Sequence, residues 1–232
     1  MAEELGRIEK PDTEKFINKR KLYLVPLLYS WESAPPEYNE KLNRYWQQVE
    51  EHVSNLESKM GEVNRIYHES ITETDEEALR IIEKINPSGL KIINDRSLKG
   101  AVLEATENRE LTEESMDWER HVLIGFISQK VADIVSQFFT DSSKKRYDFI
   151  TGRIDESLQE KETALLFIRE GHRIQFPADI EVFSIAPPAL DDIFRWMRER
   201  QAAAEQAAEA PITAEQEENK QATDVEETPS GE

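Results

Sequence analysis

Imidazoles and carboxylates are the side chains of this sequence that can carry chemistry, and their spacing nominates three places. Asp117 and His121 stand four apart in ENRELTEESMDWERH, a stretch that also holds Glu107, Glu113, Glu114 and Glu119. On a helix that spacing puts both on one face, where they can share a divalent metal with a third group from elsewhere. Glu113 and Glu114 have a simpler use, because acidic residues in a first helical turn meet the positive end of the helix dipole. His68 is followed by Glu69 at the end of a predicted strand, and strand ends of open α/β sheets are where ligands sit. The segment REGHRIQFPADIEVF sets Glu170, His172, Gln175 and Asp179 between two apolar runs. A turn there can present carboxylate and imidazole to a cleft for acid-base work; read as a polar hairpin loop with Gly171 at its turn, it needs no chemistry. The sequence therefore nominates His68, Glu69, Glu170 and His172 as catalytic candidates, and Asp117 and His121 as metal candidates. The fourth histidine, His52, flanks a packed helical stripe.

No motif joins these residues into a known reaction centre. GxGxxG, GxxxxGK[ST], HExxH, GxSxG and the EF-hand loop are all missing, and with eight glycines in 232 residues a phosphate-cradling loop is disfavoured. With no cysteine, disulfides, thiolate metal sites and a cysteine nucleophile are excluded. No cofactor is predicted, and a divalent metal is the one ion the nominated side chains suit.

The net charge is −19, of which residues 205–232 carry −8 and residues 1–204 carry −11. An acidic body repels a phosphate backbone, so nucleic acid and anionic membrane are disfavoured as partners. Two basic clusters stand against that background, Lys15 to Lys21 and Lys144, Lys145, Arg146 and Arg153, able to seat a phosphate or an acidic segment or to form solvated helix surface. No apolar run reaches the roughly 18 residues of a spanning helix, and the N-terminus lacks an apolar signal core, which places the chain in the cytoplasm.

The elements that must position these groups follow from periodicity. Residues 1–20 are a polar segment, 21–202 a single α/β domain with division into 21–110 and 111–202 as the alternative, and 203–232 a disordered acidic tail. KLYLVPLLYS predicts a strand near Leu22 to Tyr29, at an edge or bulged because Pro26 cannot donate to a ladder. Leu42, Trp46, Val49, Val53, Leu56 and Met60 step by 4 and 3 along a helix from Pro36, an apolar stripe over three heptads. It suits core packing or a coiled coil.

GEVNRIYHESI predicts a strand. Thr74 and Glu77 predict a capping box for a helix with Leu79, Ile82 and Ile85 inward, stopped by Asn86-Pro87-Ser88-Gly89. LKII, 90–93, predicts another strand, and Ser97 to Glu107 a short helix with Leu98, Val102 and Ala105 inward. From about Glu113 to Phe139 an apolar face runs through Met116, Leu123, Ile127, Val131, Ile134 and Phe138. Asp141 to Ser143 then turns into a second helix with Tyr147, Ile150, Ile154 and Leu158 inward, which makes a long helical hairpin. TALLFI and IEVFSI predict two strands, and a helix from Pro187 closes the fold with Leu190, Ile193, Phe194 and Met197 on one face. The sum is an α/β fold: a mixed or mostly parallel sheet of five to six strands flanked by helices.

The last four elements, helix, TALLFI, IEVFSI and helix, resemble the layout of the third domain of peptide-chain release factors over about 55 residues, without a shared motif. That resemblance implies ribosome or RNA association, against which the acidic body argues. The missing motifs, the heptad stripe and the charged tail favour a non-enzymatic interaction or scaffold protein that binds a protein partner or itself. The alternative is a metal-dependent or acid-base enzyme built on the nominated residues.

Overall fold

The computed structural model describes residues 16, 18–74 and 76–209, and over these residues the chain forms five strands and six helices. The N-terminal segment with Lys15, and the tail from residue 210, lie outside them. In order the elements are β1 (Arg20–Pro26), α1 (Pro36–Met60), β2 (Arg65–His68), α2 (Glu76–Ile85), α3 (Pro87–Ser97), β3 (Val102–Glu104), α4 (Arg109–Ile124), α5 (Gln129–Ser157), β4 (Thr163–Ile168), β5 (Ile180–Ser184) and α6 (Pro188–Glu209). The chain divides into two compact units at Leu190, the sheet belonging wholly to the first. In the second, Arg200 lies over the Trp196 ring, 5.1 Å from its centroid. No helix among the described residues is long and apolar enough to cross a membrane.

All five strands are parallel, in the order β3-β2-β4-β1-β5. Parallel sheets are covered on both faces, which suits the near-continuous apolar runs of β1 and β4. Even-numbered residues of those strands, Leu22, Ala164, Leu166 and Ile168, pack with Ile150, Ile154 and Leu158 on one face. On the other, Trp46 of α1 meets Phe167 at 6.1 Å and Tyr45 donates to the Pro26 carbonyl at 2.5 Å.

Pro26 is therefore in no edge strand, contrary to the sequence reading. Lys21 and Leu27 donate to Glu162 and Ile168 on the β4 side, so the missing donor of Pro26 falls on the β5 side. There the last pair is already past, at Leu24↔Ser184. TALLFI and IEVFSI form no hairpin either: β1 lies between them, both run parallel to it, and residues 169–179 return past β1 to the start of β5.

α1 matches its stripe, with Leu42, Trp46, Val49, Val53 and Met60 buried and Leu56 half-buried. The next segment corrects the sequence reading. LKII is helical, because Asn86 ends α2 and at once N-caps α3, its Oδ1 accepting from Gly89 N at 3.0 Å with Pro87 in the first turn. Gly89 is needed there, since an added Cβ would sit 2.0 Å from the Asn86 amide nitrogen. Asn86→Ala is expected to cost about 1 kcal/mol, measurable by urea denaturation, and no loss would mean the cap contributes nothing. In α2, Ala78 and Ile82 are buried and Leu79 is exposed.

Residues 97–107 hold β3 instead of a helix. α3 ends through Gly100 at φ 104 and Ala101 N donating to Arg96 O, after which Val102 pairs with Arg65 at the sheet edge. Leu98 and Val102 are consequently exposed.

The helical hairpin exists, but it turns at Gly125 and Ser128 and not at Asp141 to Ser143. Gly125 takes φ 76 at the end of α4, and Ser128 is the N-cap position of α5. Ser142 stays helical and buried, its hydroxyl donating to the Phe139 carbonyl at 3.1 Å. The face predicted to be inward is exposed at Met116, Leu123, Ile127, Val131, Ile134 and Phe138, with Val135 buried in their place.

Candidate functional site

Because every strand runs the same way, the segments that follow β2, β3 and β4 meet at one edge of the sheet. The carboxyl groups of Glu69 and Glu107, both buried, arrive there from β2 and β3. Arg146 comes from α5, also buried, and Arg169 from the residue after β4.

Arg146 Nε donates to Glu107 Oε2 at 2.6 Å, and its Nη2 donates to Glu107 Oε1 and, at 2.8 Å, to Glu69. Arg169 donates to Glu69 from its backbone N at 2.7 Å and its Nε at 2.5 Å, and from Nη1 to both oxygens of Glu119 at 3.0 and 3.1 Å. Thr112 Oγ1 at 2.5 Å and Ser70 N at 2.9 Å complete the shell of Glu107. Ser70 reaches that position in the left-handed region at φ 75, a conformation that costs a non-glycine residue about 1 kcal/mol. Burial pulls the Glu107 carboxyl upward, but the Arg146 guanidinium with Thr112 and Ser70 outweighs it and holds the group below its ordinary value. Buried charges so completely matched fix the hairpin to the strand ends.

His68, the last residue of β2, is fully buried beside Phe167, with ring centroids 5.7 Å apart. Its Nδ1 lies 2.5 Å from the Glu69 carbonyl, so Nδ1 carries the proton and donates, and Nε2 has no partner among the described residues. Burial pushes its pKa down to about 4. At neutral pH the ring is uncharged and shut off from solvent.

The remaining candidates lie apart from this cluster. His172 is half-buried, its Nδ1 accepting from Ile174 N at 3.3 Å, and burial lowers its pKa. Glu170 is exposed, and no hydrogen bond among the described residues joins it to His172. Both line a cavity of about 180 Å³ with Pro26, Ile168, Arg169 and Ser184. That cavity has a topological logic: β1 continues to β2 and β4 to β5, toward opposite edges of the sheet, and the crevice between two such strands is the usual ligand position. A larger one, about 460 Å³, lies between α5 and the β4–β5 connection, lined by Phe139, Ser143, Lys144, Tyr147, Gly171 and Arg173.

The chain matches no family model, no curated protein and no solved structure.

Asp117 and His121 share a face of α4 as their spacing requires, but the His121 Nδ1 is 2.7 Å from the Asp117 carbonyl and the Asp117 carboxylate accepts from Arg120 at 3.0 Å. No third ligand joins them: among the described residues no three His, Asp or Glu side chains come together to hold a metal ion. The basic clusters are largely spent on ion pairs, Arg20 with Asp155 and Asp179, Lys19 with Glu181, Lys144 with Asp148 and Arg153 with Glu156.

Sequence reasoning singled out Glu69 but missed its partners Glu107, Arg146 and Arg169 as a group. One local signal existed: Arg146 stands four before Ile150 and eight before Ile154, an inward position on a helix where a cation must find a buried carboxylate.

Proposed function

We propose that this chain is a non-enzymatic interaction or scaffold protein of the cytoplasm, and that its contact surface is the α4–α5 hairpin. The observation that carries this reading is the state of the hairpin's apolar side chains. Leu123 is 80% exposed, Ile124 78% and Ile127 fully, and Val131, Ile134 and Phe138 continue the series down α5. Exposed apolar residues scattered singly need no explanation, but a contiguous set on two facing helices marks an interaction site. The buried carboxylates support it from the other side, since they anchor the base of the hairpin and leave its tip free. A photo-crosslinking side chain at Ile127 is expected to give discrete adducts in cells that vanish with Ile134→Asp, while the same group at the exposed Leu98 gives none. Adducts equal at both positions, or none at Ile127, would end this reading.

The cavity beside Glu170 and His172 favours a second reading, acid-base chemistry on a small molecule at the switch point of the sheet. A ligand there raises the melting temperature of the wild type and not of His172→Ala; equal behaviour of the two proteins across a metabolite panel removes the idea.

A further inference from the structure

The hairpin surface specifies its own partner. Val131, Ile134 and Phe138 step by 3 and 4, the repeat of a coiled-coil seam, and all three are exposed along one side of α5, with the fully exposed Ile127 in the turn just before it. Trp118 of α4 extends the strip, its ring stacked on Phe138 at 4.8 Å and 12°. The buried residues of α5, Val135, Ser142, Arg146, Ile150 and Ile154, lie on a different stripe, so the seam is not the one used within the chain.

We infer that the occupant is a second copy of this chain, the two α5 helices packing antiparallel about a two-fold axis near Ile134 to give a four-helix bundle from two hairpins. Three features favour a second copy.

The seam is symmetric about that axis. Ile134 meets the partner's Ile134, and Val131 meets the partner's Phe138. An isologous contact requires a surface that complements itself in this way.

The charges bracketing the seam are also self-complementary. Lys130 precedes it and Asp141 follows it, and antiparallel pairing brings Lys130 within three residues, less than one helical turn, of the partner's Asp141 at both ends. Neither has an ion-pair partner among the described residues.

The third feature is local charge. A chain of net charge −19 should repel its copy, but once Arg120 is paired with Asp117 and Lys144 with Asp148, the stretch from Arg120 to Lys145 leaves Lys130 and Lys145 against Asp133 and Asp141, so this face is neutral and the repulsion is not here.

This inference rests on the reading of the hairpin as a contact surface and adds the identity of the partner. Sedimentation velocity of the full chain over a wide concentration range is expected to show a monomer–dimer equilibrium. Ile134→Asp, exposed and so compatible with folding, should raise the dimer dissociation constant by about 30-fold or more, the factor of a central interface residue. Lys130→Asp and Asp141→Lys should each weaken the dimer, and the double reversal should tighten it again. Because the chain has no cysteine, Ile134→Cys supplies an independent measurement, forming a disulfide-linked dimer on mild oxidation where Leu98→Cys does not.

A wild type that sediments as a monomer throughout overturns the inference, as does a dimer indifferent to Ile134→Asp or a double reversal no tighter than the single variants. A monomer whose Ile127 adducts still vanish with Ile134→Asp keeps the hairpin as a contact surface and removes only the second copy. A monomer that floats with phosphatidylcholine vesicles assigns the strip to lipid.

Discussion

Replacing Arg146 with methionine is expected to lower the unfolding free energy by about 3–5 kcal/mol, a third or more of what a domain of this size commonly possesses. The loss does not measure a contact's attraction. It is the cost of leaving Glu107 buried with no guanidinium and only Thr112 and Ser70 to satisfy it, while Glu69 keeps Arg169. The same logic predicts a rescue: Arg146→Met with Glu107→Gln should recover more than half of the loss, because the uncompensated charge goes with the cation. Urea denaturation of the three proteins decides the matter. A loss under about 1 kcal/mol for Arg146→Met would mean that water screens the cluster as it screens surface pairs.

Acid should weaken the fold through His68 before the carboxylates contribute. The ring titrates near its ordinary value of 6.5 when the chain is unfolded and at about 4 when it is folded. Between those values the unfolded state binds the additional proton, so stability is full above pH 6.5 and falls as pH drops toward 4, by about 3 kcal/mol. Glu107, held low in the folded state, adds a loss of the same sign at more acidic pH. Thermal unfolding midpoints of the wild type should therefore drop between pH 6.5 and 4, and His68→Leu should flatten that part of the curve. Parallel curves for the two proteins would show that His68 takes no part.

Where the sequence was legible, one element carried its own signal from end to end. α1 has prolines at its start, an apolar residue at every third or fourth position and Gly61 at its stop, so tertiary structure had nothing to overrule. TALLFI was legible as a buried strand because all six residues are buried. LKII was not, because four residues cannot distinguish a strand from one turn of a helix, and Asn86 and Pro87 decided between them. The Asp141-Ser142-Ser143 turn failed similarly: serine and aspartate stop a helix only if packing allows, and Gly125 offered a cheaper place. The ion cluster was beyond local reading altogether. Arg146 is 39 residues from Glu107 and 77 from Glu69, and only the strand order, which no single segment encodes, brings them together.

That strand order also sets a schedule for synthesis. β1 leaves the ribosome early, but its two neighbours, β4 and β5, are made from residues 163–184, so Lys21 waits for Thr163. At about 5–20 residues per second the delay is on the order of 7–30 s, during which an apolar strand has no lateral partner. α1 can form meanwhile from local contacts, but the sheet it covers cannot close around a missing centre. Pairings so distant in sequence fold slowly. Until residue 163 is made, the apolar edges of β1 are therefore open to other strands, and truncation anywhere before residue 163 leaves β1 without either of its neighbours.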